Sequence, residues 1–178
     1  MSALAEYLLS KNISVSGSDV KKSDVTLELE SRGAKIFYGH DLENVKNADL
    51  VVYTDAISLD NPELEAAIKQ KVDILDRASF LGKLMDEFDI SIAISGTHGK
   101  TTTTSMLSEV LIEETDKNPT IMVGGNLDKL GGNSKIGDNK LFLTEACEYK
   151  ANVKKYHPTI AVILNIDEDH LDYFDNIN

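Results

Sequence analysis

One cysteine, Cys147, stands in a chain of 178 residues. A single thiol excludes an internal disulfide framework and fits a reducing compartment. Basic residues are also in short supply, with 18 Lys and Arg against 30 Asp and Glu and a net charge of -12. That balance opposes docking on nucleic-acid phosphates or an anionic membrane unless cations cluster. No basic run is longer than Lys21-Lys22 or Lys154-Lys155. No apolar run approaches the roughly 20 residues of a membrane span. The opening segment, MSALAEYLLSKN, lacks the basic region and cleavage site of a signal peptide, and its apolar residues recur at helical spacing. The expected location is the cytoplasm, with no nucleic-acid and no membrane partner. Internal repeats and low-complexity tracts are absent too.

What is present is enough apolar sequence, 42% of residues, to bury the core of one large or two small domains. Short apolar runs alternate with helix-like stretches, the pattern of an α/β protein with parallel sheet and helical crossovers. Helices are expected over residues 2–11, 25–32 (closed by Gly33), from Asn61-Pro62 onward, over 78–87 and from Lys100 to about Glu114. Strands are expected at 13–15, 35–38, 49–54, 73–75, 90–95, 120–123, 141–145 and 160–165, with a glycine-rich connection over 124–137. The expected domain boundary lies near residue 88. The chain opens on a helix, whereas a doubly wound domain opens on a strand followed by a glycine turn, so either Met1 is a true start of an unusual architecture or a strand and loop are missing.

The run Ser95-Gly96-Thr97-His98-Gly99-Lys100-Thr101 sits between an apolar strand and a Thr-rich helix, the context a phosphate-binding loop needs. Gly96 and Gly99 let the backbone curl so that N–H groups point inward, and the helix adds its own free N–H groups and positive dipole end. The dipole alone supplies about 0.3–1 kcal/mol, too little to hold and polarise a polyphosphate. A cation is required, and Lys100 with a metal on the Thr101 hydroxyl would supply it. The loop is a variant, because Ile94 stands where the usual pattern has its first glycine. Of the following threonines, Thr101 and Thr102 are expected to touch ligand, whereas the others can bond back to their own helix.

A partner for that metal should follow a strand on the same sheet edge. Glu145, after Leu141-Phe142-Leu143-Thr144, is one candidate. The segment from Asn165 to His170, after the strand over 160–165, offers Asp167, Asp169 and His170. Carboxylates suit magnesium better than imidazole does, so residue chemistry alone favours Asp167 or Asp169. Cys147 reads as a small buried or half-buried residue with no His and Asn pairing for a nucleophile.

Read together, SGTHGKTTTTSM, EACEY and LNIDEDHLDYF resemble the Mur ligase family, particularly members that join L-alanine to UDP-N-acetylmuramate. VSGSD, YGH, VVYTDAI, NPEL, Arg77 before FLGKLM, and PTIMVGG follow the same family in order, so the resemblance runs along essentially the whole chain. It implies a Rossmann-like UDP-sugar domain over 1–88 lacking its first strand, and part of a P-loop ATPase domain over 89–178. A C-terminal amino-acid-binding domain would be absent, and the isolated chain would be an inactive fragment. It implies ATP and Mg2+, with Gly96, Thr97, His98, Gly99, Lys100, Thr101 and Thr102 at the ATP. Asp19, His40, Thr54 and Arg77 would fall in segments near the UDP-sugar. The resemblance also moves the metal set to Thr101, Glu145 and His170, with Lys100, Glu145 and His170 as the catalytic residues. Cys147 stands where the family commonly has an acidic residue, with Glu148 beside it. A ligase attaching a recycled murein peptide to the same nucleotide sugar, and a non-catalytic nucleotide-binding fragment, are the alternatives.

Overall fold

The computed structural model describes residues 1–114 and 116–167, in two compact units that divide between Arg77 and Ala78. Sequence patterning places a domain boundary near residue 88. The division by contacts falls one helix earlier, because the helix after Arg77 packs within the second unit.

The first unit begins with helix α1 (Ser2–Ser10), which buries Ala3, Leu4 and Tyr7 on one face. Strand β1 (Ser16–Asp19) pairs in parallel with β2 (Lys35–Tyr38), and β3 (Leu50–Tyr53) pairs in parallel with β4 (Asp73–Asp76). Among the described residues these are two separate two-stranded sheets, with α2 (Asp24–Ser31) and α3 (Pro62–Gln70) as the crossovers. The helix starts are written in the sequence. Ser23 and Thr26 form a reciprocal capping box, and Asn61 accepts from the N–H groups of Glu63 and Leu64 with Pro62 in the first turn. Gly33, at φ +101°, ends the second helix in the left-handed conformation that glycine adopts freely. The first strand lies further along than its apolar letters suggest. Pattern reading puts it at residues 13–15, but the ladder runs over Ser16–Asp19 and Ile13 is exposed. Pairing with β2 fixes the register, starting where Lys35 N–H bonds to Val15 O.

The second unit contains the rest of α4 (Arg77–Met85) and a five-stranded sheet in the order β7-β6-β8-β5-β9. Its strands are β5 (Ile90–Ser95), β6 (Thr120–Leu127), β7 (Gly132–Lys135), β8 (Leu141–Glu145) and β9 (Ile160–Ile163). All pairings are parallel except β6 with β7. That hairpin falls in the glycine-rich stretch expected to be a connection, because its side chains lack the apolar alternation that marks a strand. Helix α5 (Lys100–Glu114) covers one face, where Leu107, Leu111 and Ile112 meet a core of Ile92, Ile94, Ile121, Val123, Leu141 and Leu143. On the other side of Leu141, Phe142 is fully buried and stacks on Phe88 at 4.9 Å. Each such side chain contributes about 1.5–3 kcal/mol by leaving water. No described helix is long and apolar enough to cross a membrane.

Candidate functional site

Strand β5 lies inside the sheet between β8 and β9. Parallel pairing brings their C-terminal ends level, with Ile94 opposite Glu145 of β8 and Ser95 opposite Ile163 of β9. Whatever follows these three strands is delivered to one sheet edge, the edge at which open α/β folds bind ligands. Gly96 turns the chain there at φ +138°, and a Cβ on it would stand 3.1 Å from Leu164 Cβ and 3.2 Å from the Asn165 backbone. Both conformation and room therefore require glycine. Gly99 follows at φ +84°, and α5 starts at Lys100. The N–H groups of Lys100, Thr101 and Thr102 lie in its first turn, with no carbonyl one turn back inside the helix. This strand-glycine-helix geometry is the one in which an anion cradle is expected from the sequence.

The Lys100 ammonium folds over the loop. Its Nζ donates to Gly96 O at 2.6 Å, Thr97 O at 3.1 Å and the Glu148 carboxylate at 3.0 Å. Next to it, Thr101 Oγ1 donates to Glu145 Oε2 at 3.1 Å, and Gly124 N–H donates to Glu145 Oε1 at 2.8 Å. Both oxygens of Glu145 are thus oriented, one by the helix start and one by the middle of β6. The fit to a divalent cation follows from the donor chemistry. Thr101 and Glu145 offer hard oxygens beside the open N–H groups that begin α5. One or two protein oxygens completed by phosphate and water is the habit of Mg2+, whereas zinc takes a closed nitrogen and sulfur set.

Thr97 and His98 are engaged by the segment after β9 instead of lying open. Asn165 Oδ1 accepts from His98 N–H at 2.9 Å, and Asn165 Nδ2 donates to His98 O at 2.9 Å. Thr97 Oγ1 accepts from Asp167 N–H at 3.0 Å. Asp167, favoured from residue chemistry as a metal ligand, thus meets the loop through its backbone. Asp169 and His170 lie outside the described residues. Sequence reasoning gave Asn165 and Gly124 no role and Glu148 only general acidity. Their signals are the first polar residue after an apolar strand and a Gly-Gly pair that follows an apolar run within another.

In the first unit the four expected substrate-side residues all sit at C-terminal strand ends. Asp19 closes β1, His40 follows β2, Thr54 follows β3 and Arg77 follows β4. The parallel pairing therefore puts Asp19 with His40 at one sheet end, and Thr54 with Arg77 at one end of the other pair. Gly39 N–H bonds Asp19 O at 2.9 Å, and Thr54 Oγ1 accepts from Ala56 N–H at 3.2 Å.

Two family signatures match in series: "Mur ligase family, catalytic domain" over residues 1–89 and "Mur ligase middle domain" over residues 94–178. The chain belongs to the Mur ligase family. The resemblance carried by the glycine loop, EACEY and the upstream segments is borne out, as is the α/β fold class. Among similar sequences, a UDP-N-acetylmuramate--L-alanine ligase of Clostridium botulinum is 56% identical over 178 residues. One of Acetivibrio thermocellus is 54% identical over 177 residues. The chain spans 39% of the length of the first and 38% of the second. Among solved structures, a UDP-N-acetylmuramate-alanine ligase of Thermotoga maritima superposes with a TM-score of 0.87 at 35% identity, covering 99% of this chain and 41% of that one. A UDP-N-acetylmuramate:L-alanyl-gamma-D-glutamyl-meso-diaminopimelate ligase of Neisseria meningitides gives 0.85 at 25% identity, covering 99% and 60%.

Proposed function

We propose that this Mur ligase chain supplies the ATP site and the nucleotide-sugar site of an enzyme that joins L-alanine to UDP-N-acetylmuramate in the cytoplasm during peptidoglycan precursor synthesis. The observation that carries the reading is the Glu145 carboxylate held against Thr101 at the start of α5, beside Lys100. A carboxylate in that place would repel a bound polyphosphate unless a cation sat between them. Identity of 56% to L-alanine ligases, against 25% to the peptide-ligase structure, favours the amino acid over the recycled peptide as the group joined.

The sugar carboxylate would take the γ-phosphoryl group of ATP, giving an acyl phosphate and ADP. The alanine amine then attacks the acyl carbon, a proton leaves the nitrogen and phosphate departs with the C–O bond electrons. Within this scheme the loop glycines and the first turn of α5 hold the phosphates by N–H donation. Lys100 exchanges its carbonyl and Glu148 acceptors for phosphoryl oxygens, meeting negative charge as it builds. Thr101 and Glu145 would hold Mg2+, which when bound supplies further positive charge to the phosphates. Asn165 keeps the loop in shape from the segment after β9. Asp19, His40, Thr54 and Arg77 are the residues proposed to line the nucleotide-sugar site.

The test is phosphate release by the full-length protein supplied with ATP, Mg2+ and UDP-N-acetylmuramate, with and without L-alanine. Alanine-dependent release with formation of the amide product is expected. Release driven only by a murein peptide, or only by an unrelated acceptor, would overturn the assignment.

A further inference from the structure

The densest polar contact in the first unit centres on a residue that no expectation assigned. Glu63, in the first turn of α3, is 8% exposed. A carboxylate withdrawn that far from water must be compensated by donors, and three elements provide them. Ser18, on β1, donates its hydroxyl to Oε2 at 2.7 Å. His40 Nδ1, just after β2, meets the same oxygen at 3.1 Å. Asn44, in the short turn after it, donates Nδ2 to Oε1 at 2.7 Å and to Gly39 O at 3.2 Å. The carboxylate also lies at a helix N-terminus, where the dipole favours negative charge.

The arrangement fixes more than packing. An ionised carboxylate only accepts, and Ser18 Oγ, 3.3 Å from the same ring nitrogen, already gives its proton to Glu63. Nδ1 of His40 must therefore carry a proton, which in the neutral ring leaves Nε2 as an acceptor. The His40 side chain is 29% exposed while that of Glu63 is 10%. Solvent, or a ligand, meets the ring and not the acid behind it. Ser18 and His40 also stand at the C-terminal ends of β1 and β2, next to Asp19.

We infer that Glu63 is a positioning residue of the nucleotide-sugar site, holding His40 with its proton on Nδ1 so that Nε2 accepts a hydrogen bond from an O–H or N–H group of the sugar nucleotide. Glu63 itself touches no substrate. The inference rests on the nucleotide-sugar reading proposed above. Removing the acceptor behind the ring frees the tautomer and the ring orientation, and outer partners of this kind commonly change affinity by 10–100-fold where they orient a ligating histidine.

The test uses the full-length protein and two independent readouts. Nitrogen NMR of His40 in the unliganded wild type should show a protonated Nδ1 and an unprotonated Nε2 at a pH where the ring is neutral. The opposite tautomer overturns the inference with no variant needed. Glu63→Met, which fills the space and accepts only weakly through sulfur, should raise the KM for UDP-N-acetylmuramate about tenfold or more and mix the two tautomers. Glu63→Gln, which can still accept from Nδ1, should fall between it and wild type. The KM for ATP and the kcat should stay within about threefold of wild type, whereas a misfolded variant would lose all three together. Unchanged KM for the nucleotide sugar in both variants, with wild-type binding intact, sinks the positioning role alone. Failure of the wild type to bind UDP-N-acetylmuramate sinks the site reading as well.

Discussion

Replacing Gly124 by Ala separates stability from function in a way that few single substitutions would. Gly124 lies in β6 and is exposed, and its φ is not in the left-handed region. Alanine is compatible with that backbone, and by restricting the unfolded chain it should stabilise the protein by about 0.4–1 kcal/mol. The new methyl would stand 3.0 Å from Glu145 Oε2 and 3.4 Å from Cδ and Oε1. The carboxylate must give by a few tenths of an ångström, which stretches the 2.8 Å bond from Gly124 N–H and the 3.1 Å bond from Thr101. If those bonds aim Glu145 at Mg2+, displacement should weaken the metal by about 10–100-fold, or roughly 1.4–2.7 kcal/mol. The assay is the Mg2+ concentration for half-maximal ATP turnover in the full-length enzyme, alongside a thermal melt. The expected result is a raised Mg2+ requirement with an unchanged or higher Tm. A normal Mg2+ requirement with the methyl in place would refute the role given to Glu145.

Lys100→Ala should lower kcat by about 10²–10³-fold, the loss typical of a missing preorganised charge contact, and turnover within a few-fold of wild type in a steady-state assay would count against the loop assignment. Asn165→Ala removes both bonds to the His98 backbone and should raise the KM for ATP by about 5–10-fold, from roughly 1 kcal/mol of lost hydrogen bonding, read by ATP titration with the metal saturating. At Gly82 a Cβ would stand 1.9 Å from Lys155 O, a backbone atom that cannot swing away. Gly82→Ala should therefore destabilise by about 1–3 kcal/mol in denaturant melts, and a wild-type midpoint would contradict the packing of α4 on that segment.

The sequence by itself determined the parts of this protein whose physics is local. The Asn61-Pro62 helix start, the Gly33 stop and the strand-glycine-helix order around Gly96 and Lys100 are short-range consequences of capping, backbone freedom and burial, legible without a partner. The motifs also placed the chain in its family. Register and proximity were decided elsewhere. Nothing in the letters near Ser16 says that the ladder begins there and not at Ile13, because strand register belongs to the pair and not to the strand. The hairpin of β6 and β7 was hidden for the same reason. Residue chemistry preferred Asp167 or Asp169 to His170 and left Glu145 as one candidate among several, and the β5–β8 pairing is what sets Glu145 level with the loop and bonded to Thr101, 44 residues away. Glu63 is the extreme case. It reads as an ordinary acidic residue in a helix's first turn, and its three donors come from positions 18, 40 and 44. Hydrogen bonding acts over about 3 Å, so chemistry shared by residues far apart in the chain exists only once the fold has brought them together.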